Sequence, residues 1–252
     1  MSTGTGKLPL GRGVKLLTEQ QGIIALEKPA GVRSHPNKPG IDKQSLLAAP
    51  YDKEQQAYIL EDGEGGKPRL IHLLHRLDGP TSGVILLAED VAVAGAIREA
   101  FRENSVHKTY YAVTPILPSL RPVWEDNLSR NEDGGKVRVI AGRGGLPAVT
   151  HVKQLKARRT TPKLMLLKLE PKTGRTHQLR IQCAHRRIAI LGDATYGHFV
   201  MNRRIAEVFG VKRLCLHAGE IELVVYVEGR KIAFKAKSKL PDEFEVFFSD
   251  RS

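Results

Sequence analysis

The sequence predicts an α+β fold built on a mixed, largely antiparallel sheet with flanking helices. Three observations carry this. Many short apolar runs are separated by turns rich in Gly and Pro. Few segments have helical spacing. No regular strand–helix alternation with Gly-rich phosphate loops runs through the chain, which argues for α+β rather than alternating α/β.

Taken in order, residues 1–15 read as a flexible tail, Gly-rich and polar through Arg12, and residues 16–250 as a single domain. Ile23 to Leu26 is a short strand that runs into Glu27-Lys28-Pro29-Ala30-Gly31, where Pro and Gly end it. Residues 36–69 hold Pro36, Pro39, Gly40, Pro50 and the acidic run Glu61 to Gly66, and read as a loop-rich insertion with one short helix near Ser45 to Ala49. Val84 to Ala88 is a strand, and Asp90 caps a helix over Val91 to Arg102. Strands follow at Val106 to Val113, Lys136 to Ile140, Ala148 to Leu155 and Lys163 to Leu169, the last apolar on both faces as in a central strand. Gly142-Arg143-Gly144-Gly145 lies between strands and reads as a hairpin loop. Thr176 to Ala184 is a short helix that Thr176 can cap. Leu214 to Leu216, Ile221 to Val227 and Lys231 to Ala236 form a final antiparallel set, and Phe244, Val246 and Phe247 dock a short terminal helix or tail.

The chain has 252 residues, with 40 basic against 27 acidic side chains and a formal charge of +13. Such a field favours a polyanion, nucleic acid first, against the plainer reading of a basic protein with no specific acidic partner. Two cysteines, Cys183 and Cys215, are too few for a disulfide scaffold and read as buried reduced thiols, which points to a reducing compartment. The N-terminus has no apolar core of a secretory signal, and no apolar stretch approaches the roughly 18 residues of a membrane span. A cytoplasmic protein follows.

Three segments can carry chemistry. The first is His75-Arg76-Leu77-Asp78-Gly79-Pro80-Thr81-Ser82-Gly83. It sets one carboxylate at a loop–strand junction, equally a turn residue and a reactive acid on spacing alone. Arg76 and Asp78 share one face of an extended segment and can pair. The second is Pro171-Lys172-Thr173-Gly174-Arg175-Thr176-His177-Gln178-Leu179-Arg180, a Gly turn entering a helix with two arginines at its start. It suits a phosphate or a carboxylate partner, or else a solvated basic face. The third is His107 to Val113, in which Tyr110 and Tyr111 point to opposite faces of a strand. One is then core, and the other lies on the surface or lines a cleft. The nine histidines lack metal-ligand spacing: His72 and His75, or His177 and His185, come without a Cys-x-x-Cys, a His-Glu-x-x-His or an acidic triplet. No metal is expected.

Together these segments resemble the RluA-type pseudouridine synthases. His75-Arg76-Leu77-Asp78 with Thr81-Ser82-Gly83 is similar to that family's catalytic-aspartate motif, and Lys28-Pro29-Ala30-Gly31 with His35-Pro36 to its N-terminal motif. Lys108-Thr109-Tyr110 resembles its tyrosine motif. Thr173 to Arg180, followed by Gly192-Asp193 and Tyr196-Gly197, resembles its arginine motif. Smaller matches are Trp124-Glu125-Asp126, Ala148-Val149-Thr150 and Leu214 to Ala218.

The resemblance implies the pseudouridine-synthase fold with a central RNA-binding cleft, no separate N-terminal RNA-binding domain, and a cofactor-free isomerase acting as a monomer on rRNA or tRNA. It implies Asp78 as the catalytic carboxylate, Tyr110 stacked on the target uracil, and Arg180 as the cation paired with Asp78, with Ile181 an apolar wall beside it. Arg76, Thr81, Arg175, His177 and Gln178 complete the expected substrate-binding set. The rivals are a non-catalytic RNA-binding or ribosome-assembly factor on the same fold, and a glycoside or nucleoside hydrolase, which needs a second acid that only Asp126 or Asp193 could supply. Gly79, where many members have a larger polar residue, and Gln182 to Arg187, without the family's frequent Gly turn, depart from the pattern and bear on substrate choice.

Overall fold

The apolar run after the Asp78 segment becomes a strand buried along its whole length, as a run of Val, Ile and Leu without alternation requires. The computed structural model describes residues 8–38, 40–61, 67–133, 136–142 and 144–249. In chain order the elements are β1 (Lys15–Gln20), β2 (Ile23–Lys28), β3 (Tyr51–Asp52), β4 (Ala57–Leu60), β5 (Arg69–Leu73), β6 (Ser82–Ala88), α1 (Val91–Arg102), β7 (His107–Pro115), β8 (Val123–Asp133), β9 (Lys136–Ala141), β10 (Leu146–Arg158), β11 (Leu164–Pro171), α2 (Gln178–His185), α3 (Phe199–Phe209), β12 (Leu216–Val227), β13 (Arg230–Lys237) and α4 (Asp242–Glu245). The fold is α+β with mostly antiparallel strands. Where the sequence reads as one domain, contacts cluster into two compact units: the chain up to Val106 with Glu220–Ser238, and His107–Gly219 with the segment from Lys239 onward.

In the first unit β2 pairs with β1 on one side and β6 on the other, and β6, β5, β4 and β3 follow in antiparallel order. Glu220–Val227 of β12 and β13 form a hairpin across Glu228-Gly229, both at positive φ, as a two-residue turn of matching twist demands. On β13 Ile232, Phe234 and Ala236 face the core while Lys231, Lys235 and Lys237 face solvent. Helix α1 begins where its cap predicts: the Asp90 carboxylate accepts from the backbone N–H of Ala92 and Val93 at 2.7 and 2.9 Å. It buries Val93, Ala94, Ile97 and Ala100.

Two sequence expectations change in this unit. The tail expected over residues 1–15 does not describe residues 8–15, while residues 1–7 lie outside the described residues. Leu10 bridges to Leu47, and the Gly11 N–H donates to the Leu46 carbonyl at 2.7 Å. A Cβ at Gly11 would stand 1.8 Å from the Ser45 carbonyl oxygen, so only Gly permits the approach. The short helix expected near Ser45 to Ala49 does not form; Ser45 and Leu47 make isolated bridges, and the hydrogen bonds go elsewhere: Leu46 N–H to the Arg33 carbonyl and Ala48 N–H to that of Pro9. The insertion around it holds β3 and β4 and ends at the start of β5; its run Asp62 to Gly66 lies outside the described residues.

In the second unit β7, β11, β10, β8 and β9 lie in antiparallel order. The Gly-rich segment 142–145 is not a hairpin loop, although Arg143 lies outside the described residues. Leu128 of β8 pairs with Ala141 of β9 on one side and Leu146 of β10 on the other, so β9 and β10 flank β8 and do not pair with each other. A Cβ at Gly145 would meet the Leu128 backbone at 2.4 Å, which is why glycine stands there. The core gathers Trp124, Leu167, Cys183, Phe209, Phe244 and Phe247, the last two delivered by the terminal segment as the sequence anticipates. Both cysteines are buried and free, and burial pushes their thiols up, that of Cys215 to about 12. They are inert core residues.

Candidate active site

Asp78 lies in the loop between β5 and β6, half-buried, with backbone groups of the loop tied on several sides. Its carbonyl accepts from the Thr81 N–H at 3.0 Å, closing the turn that Gly79-Pro80 begins. The next carbonyl, Gly79, accepts from the Gly31 N–H at 2.8 Å and from the Lys28 ammonium at 2.9 Å. Lys28 is fully buried, and its ammonium also donates to the Val32 and Pro29 carbonyls at 2.6 and 3.2 Å. On the preceding side the Ser34 hydroxyl both donates to the Leu77 carbonyl, at 2.9 Å, and accepts from the Leu77 N–H, at 3.1 Å. The two N-terminal segments quoted for their resemblance, Lys28 to Gly31 and the stretch before His35, therefore clamp the backbone around Asp78.

Of the flanking residues, His75 accepts from the Leu86 N–H at Nε2 and stacks on Phe101, which makes it a fold residue. Arg76 is exposed, with Nη1 3.4 Å from Nε2 of His35, whose ring stacks on Tyr51. Thr81, expected to touch substrate, is 2% exposed, and its backbone closes the turn.

Tyr110 stands on β7 opposite Leu169, and Tyr111 opposite Lys168. The sequence puts one ring in the core and the other outside it. Both are half-buried and both touch the core of the second unit. Tyr111 lies over Gly219, where a Cβ would come within 2.3 Å of the ring. Lys108, two residues before Tyr110, is buried; burial first, then Lys172, pulls its ammonium below the usual lysine range.

Arg180 sits in α2, buried. Its Nε and Nη2 donate to the two carboxylate oxygens of Asp193 at 2.8 and 2.9 Å, a bidentate pair with both side chains out of water. Burial pushes the Asp193 carboxyl up, but the Arg180 hydrogen bond and the Tyr196 and Thr195 N–H groups outweigh it and hold the carboxyl below its usual range. The Arg180 guanidinium also lies over the Tyr196 ring, 5.1 Å from its centroid, and the Tyr196 hydroxyl meets Nδ1 of His177 at 2.9 Å. Gly192 permits this turn: at φ +73° its missing Cβ would stand 1.8 Å from the Arg213 carbonyl oxygen.

Helix α2 begins at Gln178 rather than Thr176. His177 precedes it in the left-handed region, φ +53°, with no side-chain cap bond, so the expected Thr176 cap is absent. The Gln178 side chain does the tying. Its oxygen accepts from the Thr173 hydroxyl at 2.7 Å and the Arg175 N–H at 3.1 Å, and its nitrogen donates to the Val149 carbonyl and the Thr150 hydroxyl. Those four bonds use the whole amide and fix the start of α2 against β10. Arg175 is half-exposed and donates to the Pro147 carbonyl. Ile181 is buried beside Leu128 and Ala148.

The network runs further, through Thr150 and Gln182 to Asp126. The Thr150 hydroxyl donates to Oε1 of Gln182 at 2.6 Å, and Nε2 of Gln182 donates to Asp126 at 2.9 Å and to the Ala148 carbonyl at 3.0 Å. Asp126 also takes Arg186 at 2.8 Å and His185 at 3.0 Å, and Arg186 stacks over Trp124 at 4.6 Å. Burial raises the Asp126 carboxyl, and the bonds from Arg186, Gln182 and His185 bring it net below its usual range. The signal was present in the small matches around Trp124 and Ala148; their function, to bracket α2, shows only in three dimensions. Asp126 and Asp193, the two candidates for a second acid, are both held as ionised partners of arginine.

Residues 22–185 of the chain match the family described as RNA pseudouridylate synthase, a span that includes Asp78, Tyr110 and Arg180. The chain is 29% identical over 235 residues to tRNA pseudouridine synthase C of Yersinia pestis, covering 89% of this chain and 86% of that protein. It is 24% identical over 237 residues to ribosomal large subunit pseudouridine synthase D of Zymomonas mobilis, covering 93% of this chain and 72% of that one. The solved structure of human RNA Pseudouridylate Synthase Domain Containing 4 is similar at a TM-score of 0.64 and 26% identity, over 92% of this chain and 91% of the other.

Proposed function

Since this chain belongs to the RNA pseudouridylate synthase family and is an isomerase of RNA uridine, we propose that its substrate is tRNA and that Asp78 is the carboxylate that performs the reaction. The observation that carries the catalytic part is the clamped loop: Lys28, Gly31 and Ser34 hold the backbone on both sides of Asp78, while its own side chain stays half-exposed. Support for tRNA comes from the relative matched at 29% identity, a tRNA enzyme by name.

In this reading the target nucleotide is turned out of its stack so that its sugar and base become accessible. The bond between N1 of uracil and C1′ breaks, the uracil turns, C5 bonds to C1′, the proton on C5 leaves and N1 takes up a proton. An ionised Asp78 serves either as nucleophile at C1′ or as base at C2′. Arg180, its head group aimed by the bidentate bond to Asp193, is the proposed cation for Asp78. Tyr110 holds the uracil by stacking, at about 1–3 kcal/mol. The reaction needs no cofactor, and the chain works as a cytoplasmic monomer. No helix among the described residues is long and apolar enough to cross a membrane.

Mapping pseudouridines in tRNA and rRNA from cells with and without this protein tests the substrate. Loss at one or more tRNA uridines is the expected result. Loss confined to rRNA would instead favour the activity named for the relative matched at 24% identity.

A further inference from the structure

Beyond Asp193 the second unit carries a surface that the proposed chemistry does not use. Helix α3 buries Ile205 and Phe209 in the core, yet its first turn opens with Phe199 at 77% exposure and Val200 at 56%. The helix is already seated by its inward face, so these two side chains add nothing to folding where they stand. Arg203 follows Phe199 by four residues and Arg204 follows Val200 by four, so each cation lies one turn along from an apolar neighbour on the same face. Both arginines are exposed, and the first turn holds no acid. Glu207 approaches Arg203 only at 3.9 Å, with both side chains largely in water, a weak pairing.

The patch is firmly mounted and short of reach from Arg180. The Asn202 side chain accepts from the Gly192 N–H at 2.9 Å and donates to the Asp193 carbonyl at 3.0 Å, so α3 is bolted to the turn that holds Arg180. The His198 ring accepts from the Met201 N–H at the helix start. Tyr196, over the Arg180 guanidinium, is three residues from Phe199, so their Cα atoms lie at most about 11 Å apart.

We propose that Phe199, Arg203 and Arg204 form a second contact for the RNA substrate: Phe199 stacks on an unpaired nucleotide beside the target uridine, and the arginines hold the adjoining phosphates. The inference rests on the reading of Arg180 as part of the active site. The chemistry fits RNA. An unpaired base offers a π-face to an exposed aromatic, phosphates meet guanidinium groups, and the chain carries a charge of +13. Because the patch is fixed near the proposed site, it reads the sequence and structure flanking the target rather than the uracil itself.

The test uses the full chain, labelled bulk tRNA and rRNA from cells lacking the protein, and four variants: Phe199→Ala, Phe199→Leu, Phe199→Trp and the double variant R203A/R204A. Affinity is read by fluorescence anisotropy, and turnover by tritium release from RNA labelled at C5 of uridine. Ala and Leu are expected to weaken binding about tenfold and to raise KM with kcat kept at saturating RNA, while Trp keeps wild-type affinity. The double variant should lower the slope of log affinity against log salt by about 1.4, at about 0.7 per phosphate of a single strand. Wild-type affinity in both Ala and Leu, an equal loss in Trp, or an unchanged salt slope overturns the proposal. Absence of tritium release by the unmodified chain from any RNA would overturn the active-site reading instead, while ring-dependent binding would still report on this surface.

Discussion

Around Asp78 the fixed groups are backbone: the Leu77, Asp78 and Gly79 carbonyls accept from a serine hydroxyl, an amide and a buried ammonium. Around Arg180 they are side chains: a bidentate carboxylate, a tyrosine ring and a chain of Gln, Thr and Asp beneath the helix. The contrast follows from what each group must do. A short acid has little freedom beyond its own backbone, so holding the loop is enough to aim the carboxylate. A long guanidinium has many rotamers, and only partners on the head group itself can aim it.

The contrast can be broken first on the arginine side. Asp193→Ala removes the bidentate carboxylate partner of a buried guanidinium and should cost about 3–5 kcal/mol of stability, measured by urea unfolding. The pH dependence has a definite sign. The folded carboxyl of Asp193 sits below its usual range, so its contribution is fully present above the unfolded carboxylate value of about 3.9 and is lost as pH falls through the lower folded value. Wild type should therefore lose stability below about pH 4 more steeply than Asp193→Ala, in acid titrations of the unfolding midpoint.

Lys28→Met comes next. It fills similar volume but leaves three carbonyls without their ammonium donor, a loss of about 2–3 kcal/mol. Because the released carbonyls belong to the loop that carries Asp78 and to its support, kcat should fall with little change in RNA affinity. A loss of affinity without loss of kcat would count against the backbone clamp. The smallest effect is expected at Thr176→Ala: with no cap bond at the start of α2, stability should stay within about 0.5 kcal/mol of wild type, where a working Thr cap would cost about 1 kcal/mol.

The same contrast decides what could be read from the sequence. Asp90 caps α1 through bonds two and three residues away, so that helix was legible to the residue. The Asp78 loop was legible as a turn from Gly79-Pro80, although its buried lysine support comes from 51 residues upstream. At α2 local rules misled: Thr176 has the chemistry of a cap, but Gln178, tied to Val149 and Thr150 across the sheet, sets the start of the helix. The Asp126–Gln182–Thr150 relay joins β8, α2 and β10, and no local pattern could place it. The Gly142 to Gly145 segment reads as a hairpin because glycines there mark a sharp connection between strands, and only the pairing shows that β9 and β10 lie on opposite sides of β8. No helix was read over residues 199–209, though His198 before it and Gly210 after it, at φ +73°, are its boundary signals.

The central claim is that the clamped loop presents Asp78 as the reactive carboxylate, and the most direct measurement is tritium release from RNA labelled at C5 of uridine by the Asp78→Asn variant, alongside its RNA affinity. The account predicts no release with binding close to wild type, because the amide keeps the shape of the side chain and loses its charge. Retained turnover in Asp78→Asn would contradict it.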